Sequence, residues 1–169
     1  MEKITSQIYQ IKNNKEQLLD LLLIADPSEE MIRRYLTDGE LFVMEYQKEI
    51  ICAAVIYPLS DNRIELKNLV THPRHLRKGA ATKMLCFLLE HYRNASAMLI
   101  GTGSTGKDDA DFFQVDFYKK CGFIHSHTIR NYFVDHYPDP IYEEDGRQCV
   151  DMIYLIHPLN NQSVNLPKI

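Results

Sequence analysis

"THPRHLRKGAATKML", residues 71 to 85, decides how the chain is read, because a strand ends there, a basic turn follows and a helix opens at Gly79. The run before it, "RIELKNLVT" at 63 to 71, has the character of a strand. From 79 to 92, Met84, Leu85, Leu88, Leu89 and Tyr92 recur at helical spacing. A helix start leaves amide N–H groups without intrahelical acceptors and carries the positive end of the helix dipole. Gly79, Ala80 and Ala81 keep side chains small there, while Arg77 and Lys78 add charge, so the turn suits a pyrophosphate. Taken alone, the stretch fits a solvated basic turn before an ordinary helix equally well.

Working outward, residues 3 to 11 alternate as a strand, and "NNKEQLLDLLLIAD" has helical spacing up to Pro27. Ser28 with Glu29 and Glu30 opens a second helix carrying Met31, Ile32, Tyr35 and Leu36, which stops at Asp38-Gly39. Strands follow at 40–47, 50–59 and 63–71, and their short connections imply an antiparallel meander. "SAMLIGTG" is a strand reached by a helical crossover, hence parallel to the strand at 63–71. Residues 108 to 120 read as a helix stopped by Gly122, and "FIHSHTIRNYFV" and "QCVDMIYLIHPL" as two more strands joined by the acidic "DHYPDPIYEEDG". The pattern predicts an α/β fold in one domain, residues 1–169, with no internal repeat.

The formal charge of −4 argues against a nucleic-acid surface, since Arg74, His75, Arg77 and Lys78 form only a small basic cluster. No apolar run approaches the ~20 residues that span a bilayer, and the N-terminus lacks a secretory stretch. Cytoplasmic location and reduced thiols at Cys52, Cys86, Cys121 and Cys149 are the expectation. His125 and His127 are expected on one face of their strand, but no third metal ligand has convincing spacing.

A second glycine cluster competes for phosphate. "GTGSTGKDD", residues 101 to 109, nearly matches both the P-loop and the dinucleotide fingerprint. Asp108 stands where a P-loop needs Ser or Thr for Mg²⁺, Asp109 adds a second carboxylate, and the strand at 123–130 lacks the acid a dinucleotide site requires.

The stretch at 71–85 resembles motif A of the GNAT superfamily of N-acetyltransferases, Q/R-x-x-G-x-G/A, with Leu76 at the Q/R position, Gly79 at the central glycine and Ala81 at the last small position. "FYKKCGF" (117–123) is similar to the family's later tyrosine motif, and "NLVTHP" to the strand end along which these enzymes hold pantetheine. The resemblance covers residues 3 to 159 and is nearest to a group of small bacterial acetyltransferases. It implies a mixed central sheet of about seven strands flanked by about four helices. On that reading "GTGSTGKDD" is the loop after the fifth strand, where Gly101 and Gly103 turn the chain and Thr105 or Asp108 caps the next helix.

The resemblance also implies a reaction and its residues. Acetyl-CoA would be the cosubstrate, its pyrophosphate on the amides of Leu76, Arg77, Lys78, Gly79, Ala80, Ala81 and Thr82, and its pantetheine along Leu69, Val70 and Thr71, with Ser104 as a further contact. Leu76 departs from the motif, so only its backbone can take part. Tyr118 would protonate the leaving sulfur; the alternative is a tyrosine packed beside Phe117. Glu65 sits where some members carry a general base, although Glu65 and Lys67 also fit a solvated strand face. The acceptor would be an amine of a small molecule or peptide, in a pocket shaped by Glu29, Glu30, Tyr35 and residues 135–145. There Asp135, Asp139, Glu143, Glu144 and Asp145 either attract a cation or simply face water. A homodimer is compatible with the resemblance. Two other functions remain open: a noncatalytic acyl-CoA-binding sensor on the same fold, and a nucleotide-binding protein using residues 101–107.

Overall fold

The computed structural model describes residues 5–107 and 112–159. Strand β1 (Gln7–Ile11) leads through a 3-10 turn (Lys15–Leu18) into α1 (Leu19–Ala25), and α2 (Glu29–Asp38) follows. The Ser28 hydroxyl caps α2 by accepting from the Met31 amide at 3.2 Å. Then come β2 (Glu40–Tyr46), β3 (Glu49–Pro58), β4 (Arg63–Thr71), α3 (Ala80–His91), β5 (Ala97–Ser104) and α4 (Phe113–Lys120). The chain continues through β6 (Ile124–Ile129), α5 (Tyr132–His136), a small hairpin of β7 (Ile141–Tyr142) and β8 (Gln148–Cys149), and β9 (Asp151–Pro158).

Seven strands form one mixed sheet in the order β1-β2-β3-β4-β5-β9-β6. The meander is antiparallel as expected, and the crossover through α3 makes β5 parallel to β4. Two cores cover the sheet faces. One holds Leu22, Ile32, Tyr35 and Leu36 of α1 and α2 against Leu41, Val43, Ala53, Val55 and Val70. The other holds Met84, Leu85, Leu88 and Leu89 of α3 and Val115 and Tyr118 of α4 against Phe42, Ile64, Leu66 and Ile100. Each fully buried Leu or Met contributes about 1.5–3 kcal/mol, so the start of α3 rests on a firm base. No helix among the described residues is long and apolar enough to cross a membrane.

Several local expectations are corrected. The sixth strand stops at Ile129, and Asn131 in a left-handed conformation (φ 57°) starts a short helix where the sequence suggested more strand. There are thus five α-helices among the described residues, one more than expected. Gln148 and Cys149 pair with Tyr142 and Ile141 rather than joining the main sheet. Gly101 and Gly103 turn nothing, because both lie inside β5. They are small to make room: a Cβ at Gly101 would sit 2.9 Å from Met152 Sδ, and one at Gly103 only 2.2 Å from Cys149 Sγ. The positive φ that a turn needs belongs to Gly106, at 81°. Helix α4 starts after Phe112 without a side-chain cap, the Thr105 hydroxyl accepts from the Lys107 amide instead, and Asp108 and Asp109 lie outside the described residues. His125 and His127 do not share a face, since a register shift between them places them opposite the adjacent residues Leu155 and Tyr154.

Gly39 gives a test of the α2 end. Its backbone is ordinary (φ −80°), but a Cβ would lie 2.5 Å from the Tyr35 carbonyl oxygen and 2.8 Å from Val55 Cγ1. Gly39→Ala should therefore lower stability by about 1–3 kcal/mol, read from the urea midpoint, as overpacking does. A wild-type midpoint would contradict this account of the glycine.

Candidate active site

The site begins where two neighbouring strands part. Strands β4 and β5 pair from Arg63–Ala97 to Leu66–Ile100 and no further, although β4 runs on to Thr71 and β5 to Ser104. Past that point β4 stays with β3, through Ala54–Leu69, Ala53–Val70 and Cys52–Thr71, while β5 stays with β9. The register of β3 and β4 shifts between Val55 and Ile56, whose partners are Asn68 and Leu66, so Lys67 is the extra residue of a bulge. A bulge bends its strand and increases local twist, and here it coincides with the parting. Main-chain groups of residues 67–71 that point toward β5 consequently have no strand to pair with. They form an open edge to which an extended chain of alternating amides can bind.

Beside the open edge lies the start of α3. Leu76 is extended (φ −65°, ψ 151°), Arg77 is left-handed (φ 61°), and Gly79 is left-handed (φ 82°) at the N-cap. No side chain caps this helix, and the first-turn amides at Ala80, Ala81 and Thr82 have no intrahelical acceptor. A Cβ at Gly79 would meet nothing within 4 Å, so the left-handed backbone, and not crowding by the protein, is what favours glycine. The basic turn is tied down from below: Arg74 donates to Glu49 at 2.8 Å and His75 lies 3.4 Å from the same carboxylate. Arg77 and Lys78 are exposed, and Leu76 projects into solvent, so residue 76 offers only its main chain to an anion.

Tyr118 of α4 packs into the core on the α3–α4 face. It is buried, with its ring 5.2 Å from Phe117 and 5.8 Å from Phe123, both edge to face. Burial pushes its pKa up, and the neighbouring thiols Cys121 and Cys52 push it further. Cys52 pairs with Thr71 at the end of β4, and the Thr71 hydroxyl lies 3.9 Å from its sulfur. The packing reading of Tyr118 is thus true of its ring, while its hydroxyl remains protonated at neutral pH and well into alkaline solution.

The opposite face is polar at the same place. Glu65 is not on a solvated face: it is 7% exposed, and its carboxylate sits 3.1 Å from Lys67 Nζ. Tyr154 of β9 lies against it, with a phenol pushed up to about 12 by burial first and the Glu65 charge second. Asp26, at the end of α1, accepts hydrogen bonds from the Ser28 amide at 3.0 Å, the Tyr35 hydroxyl at 3.2 Å and the Tyr137 hydroxyl at 3.4 Å. Its pKa is raised because burial outweighs those bonds and the nearby Lys67 charge. Asn68, next to the bulge, donates to the Leu22 carbonyl and to the Tyr35 hydroxyl, each at 3.0 Å.

Of the residues expected to shape an acceptor pocket, Tyr35 and Tyr137 join this cluster. Glu29 and Glu30 point away into i,i+4 pairs with Arg33 and Arg34. Asp135, Asp139, Glu144 and Asp145 face water, and Asp145 is paired with Arg147 at 2.8 Å. Ser104 is buried at the tip of β5, where its hydroxyl accepts from the Gly106 amide at 3.2 Å. Sequence reasoning passed over Asp26, Asn68, Tyr132 and Tyr154, and reached Tyr137 only as part of the segment 135–145. Asp26 reads as a helix stop before Pro27, and Asn68 reads as one of several polar residues in a strand. Tyr132 opens a helix the sequence did not announce. One signal was available: Asn68 breaks strict alternation beside Lys67, as a bulge does.

A family model described as the acetyltransferase (GNAT) family matches residues 7–123. A GNAT family acetyltransferase from Elizabethkingia anophelis, solved with acetyl-CoA bound, is 34% identical, with a TM-score of 0.83 over 93% of this chain and 100% of that one. A Bacillus subtilis acetyltransferase solved in complex with CoA is 28% identical, with a TM-score of 0.81 over 92% of this chain and 99% of that one. The B. subtilis protein YvbK, described as an uncharacterized N-acetyltransferase, is 29% identical over 157 residues, 92% of this chain and 96% of its own length. The chain belongs to the GNAT family of acetyltransferases, enzymes of the acyltransferase class that use acetyl-CoA as cosubstrate.

The thiols around the site give a direct check on its burial. Burial holds Cys52 and Cys149 up to about 12 and Cys121 up to about 11, whereas Cys86 is partly exposed and raised less. Because the thiolate is the reactive form, iodoacetamide at pH 8 should modify Cys86 first and leave the other three unlabelled in the native protein. Peptide mass spectrometry showing Cys52 labelled as fast as Cys86 would contradict the buried placement.

Proposed function

We propose that this chain transfers the acetyl group of acetyl-CoA to a primary amine of a small molecule or peptide. The observation that carries the proposal is the parting of β4 and β5 after Leu66–Ile100 beside an uncapped, left-handed helix start at Gly79. Leu69, Val70 and Thr71 offer the open edge to the pantetheine arm, whose amides can pair with it as a short strand would. The amides of Leu76 through Thr82 receive the pyrophosphate, aided by the exposed charges of Arg77 and Lys78. Ser104, through its bond to the Gly106 amide, shapes the tip of β5 on the other side of the gap.

Positioning two substrates across the gap supplies much of the rate, because it converts a bimolecular encounter into a reaction between held groups. Glu65 takes the proton that the amine must lose, directly or through a water, and Lys67 orients its carboxylate. Tyr118 delivers a proton to the departing sulfur. The desolvation that raises the phenol acts in the same sense on a thiolate formed beside it, so the transfer is not handicapped by burial. The nucleotide reading of residues 101–107 loses its basis, since 101–104 are strand and not a phosphate-cradling loop.

Two substitutions separate these roles. Gly79→Asp should weaken acetyl-CoA binding, measured by calorimetry, by about 1.5–3 kcal/mol, whereas Lys107→Ala should leave it near wild type. The reverse order would restore the glycine cluster at 101–107 as the phosphate site. Tyr118→Phe keeps the ring in its aromatic cluster and deletes one hydroxyl. It should lower kcat by about 10²- to 10⁴-fold with acetyl-CoA affinity nearly intact. Turnover within about threefold of wild type with a saturating acceptor would reject the acid role and favour an acyl-CoA-binding protein whose tyrosine only packs.

A further inference from the structure

The polar cluster on the α1–α2 face contains one group that the protein leaves unsatisfied. Asn68 is 4% exposed, and no protein donor among the described residues reaches its Oδ1. The amide cannot be turned over to relieve this, because its oxygen would then face the Leu22 carbonyl, which now accepts from Nδ2 at 3.0 Å. The same Nδ2 also donates to the Tyr35 hydroxyl, and that hydroxyl donates to Asp26 at 3.2 Å. The orphan oxygen therefore lies two hydrogen bonds from a half-buried carboxylate, at the bulge where β4 leaves β5. A buried acceptor without a donor loses its hydration uncompensated, which makes it a feature requiring a partner.

The surroundings define what that partner is. Asp26 and Glu65 bring two negative charges and Lys67 one positive charge, leaving the cluster net negative. Lys67 links the two carboxylates, 3.1 Å from Glu65 and near enough for its charge to act on Asp26. The Tyr35 and Tyr137 hydroxyls both bond to Asp26, so their phenol rings stand beside the carboxylate and give a cation an aromatic surface as well as a charge. Asp26, Tyr132 and Tyr137 are partly exposed, whereas Asn68 and Glu65 are buried. The Tyr137 bond to Asp26 spans 111 residues of chain and ties the segment after α5 to the cluster.

We infer that Asp26 and Asn68 form the subsite that holds the acceptor nitrogen, and that the acceptor is an aliphatic amine bound as its ammonium. An ammonium brings three N–H donors and one positive charge. Asn68 Oδ1 takes one donor, Asp26 neutralises the charge, and the donor facing Glu65 leads to the group that removes the proton before acetyl transfer. An arylamine, neutral at pH 7, gains nothing from Asp26. The identification of the acceptor rests on the acetyltransferase reading above, but the cation-binding cluster does not.

The test uses the full chain loaded with CoA, with hexylamine and tyramine as aliphatic probes and p-toluidine as the neutral arylamine. Asp26→Asn keeps the shape and the loop bond to Ser28 while deleting the charge. It should weaken hexylamine and tyramine at least tenfold by calorimetry, raise their KM correspondingly, and leave p-toluidine and the Kd for CoA unchanged. Equal binding of the aliphatic amines to wild type and Asp26→Asn would overturn the inference, as would a variant that loses thermal stability while its KM values stay put, which marks a structural network only. Preference of the wild type for p-toluidine would overturn it too. Aspartate-dependent amine binding without any release of CoA from acetyl-CoA would leave the cation site standing and refute the proposed reaction instead.

Discussion

The structure turns on a pair of strands that stop pairing. A parallel sheet gains main-chain hydrogen bonds at every residue, so parting β4 from β5 after Leu66–Ile100 forgoes several of them. The loss is contained because each strand keeps its outer neighbour, β3 for β4 and β9 for β5, and because both helical layers remain packed on the sheet. An exposed strand edge inside a sheet is normally a hazard, since it invites pairing with another chain. Here the edge is recessed between two helix-covered faces, and the proposed function gives it a ligand with amides of its own as partner.

The parting also sorts the chemistry by face. On the α3–α4 side the surroundings are apolar: Tyr118, Cys52 and Cys121 are buried together, and burial raises the pKa of all three. That environment keeps a hydroxyl protonated and available as an acid. On the α1–α2 side the same sheet carries Glu65, Lys67 and Asn68, which join Asp26 at the end of α1 in a network of charges and phenols. The bulge at Lys67 lies between the two, and it shifts the alternation of β4 so that Lys67 and Asn68 follow one another where a regular strand would send one of them to the far face.

Much of the framework was legible in the sequence for simple physical reasons. Apolar periodicity located α3, the Ser28 cap located α2, and short turns implied the β2–β3–β4 meander. Motif A rests on Gly79, whose left-handed backbone is a local property that a glycine advertises by itself. Other readings failed where a residue's role depends on a distant neighbour. Gly101 and Gly103 look like turn glycines, yet each is small because of side chains on Met152, Tyr154 and Cys149, about 50 residues away in sequence. Glu65 looks solvated by alternation, yet Tyr154 and Lys67 enclose it.

The sequence alone thus determined the local elements, the glycine helix start of α3 and the family of the chain, because these depend on periodicity, turn chemistry and a short motif. Tertiary structure decided which polar residues meet. Asp26, Asn68 and Tyr137 come from a helix end, a strand bulge and the segment after a short helix, and nothing in their spacing relates them. Hydrogen bonding and burial act over ångströms in space, whereas periodicity and spacing report only on neighbours along the chain. A site assembled from three distant segments therefore appears only once the sheet has brought them together.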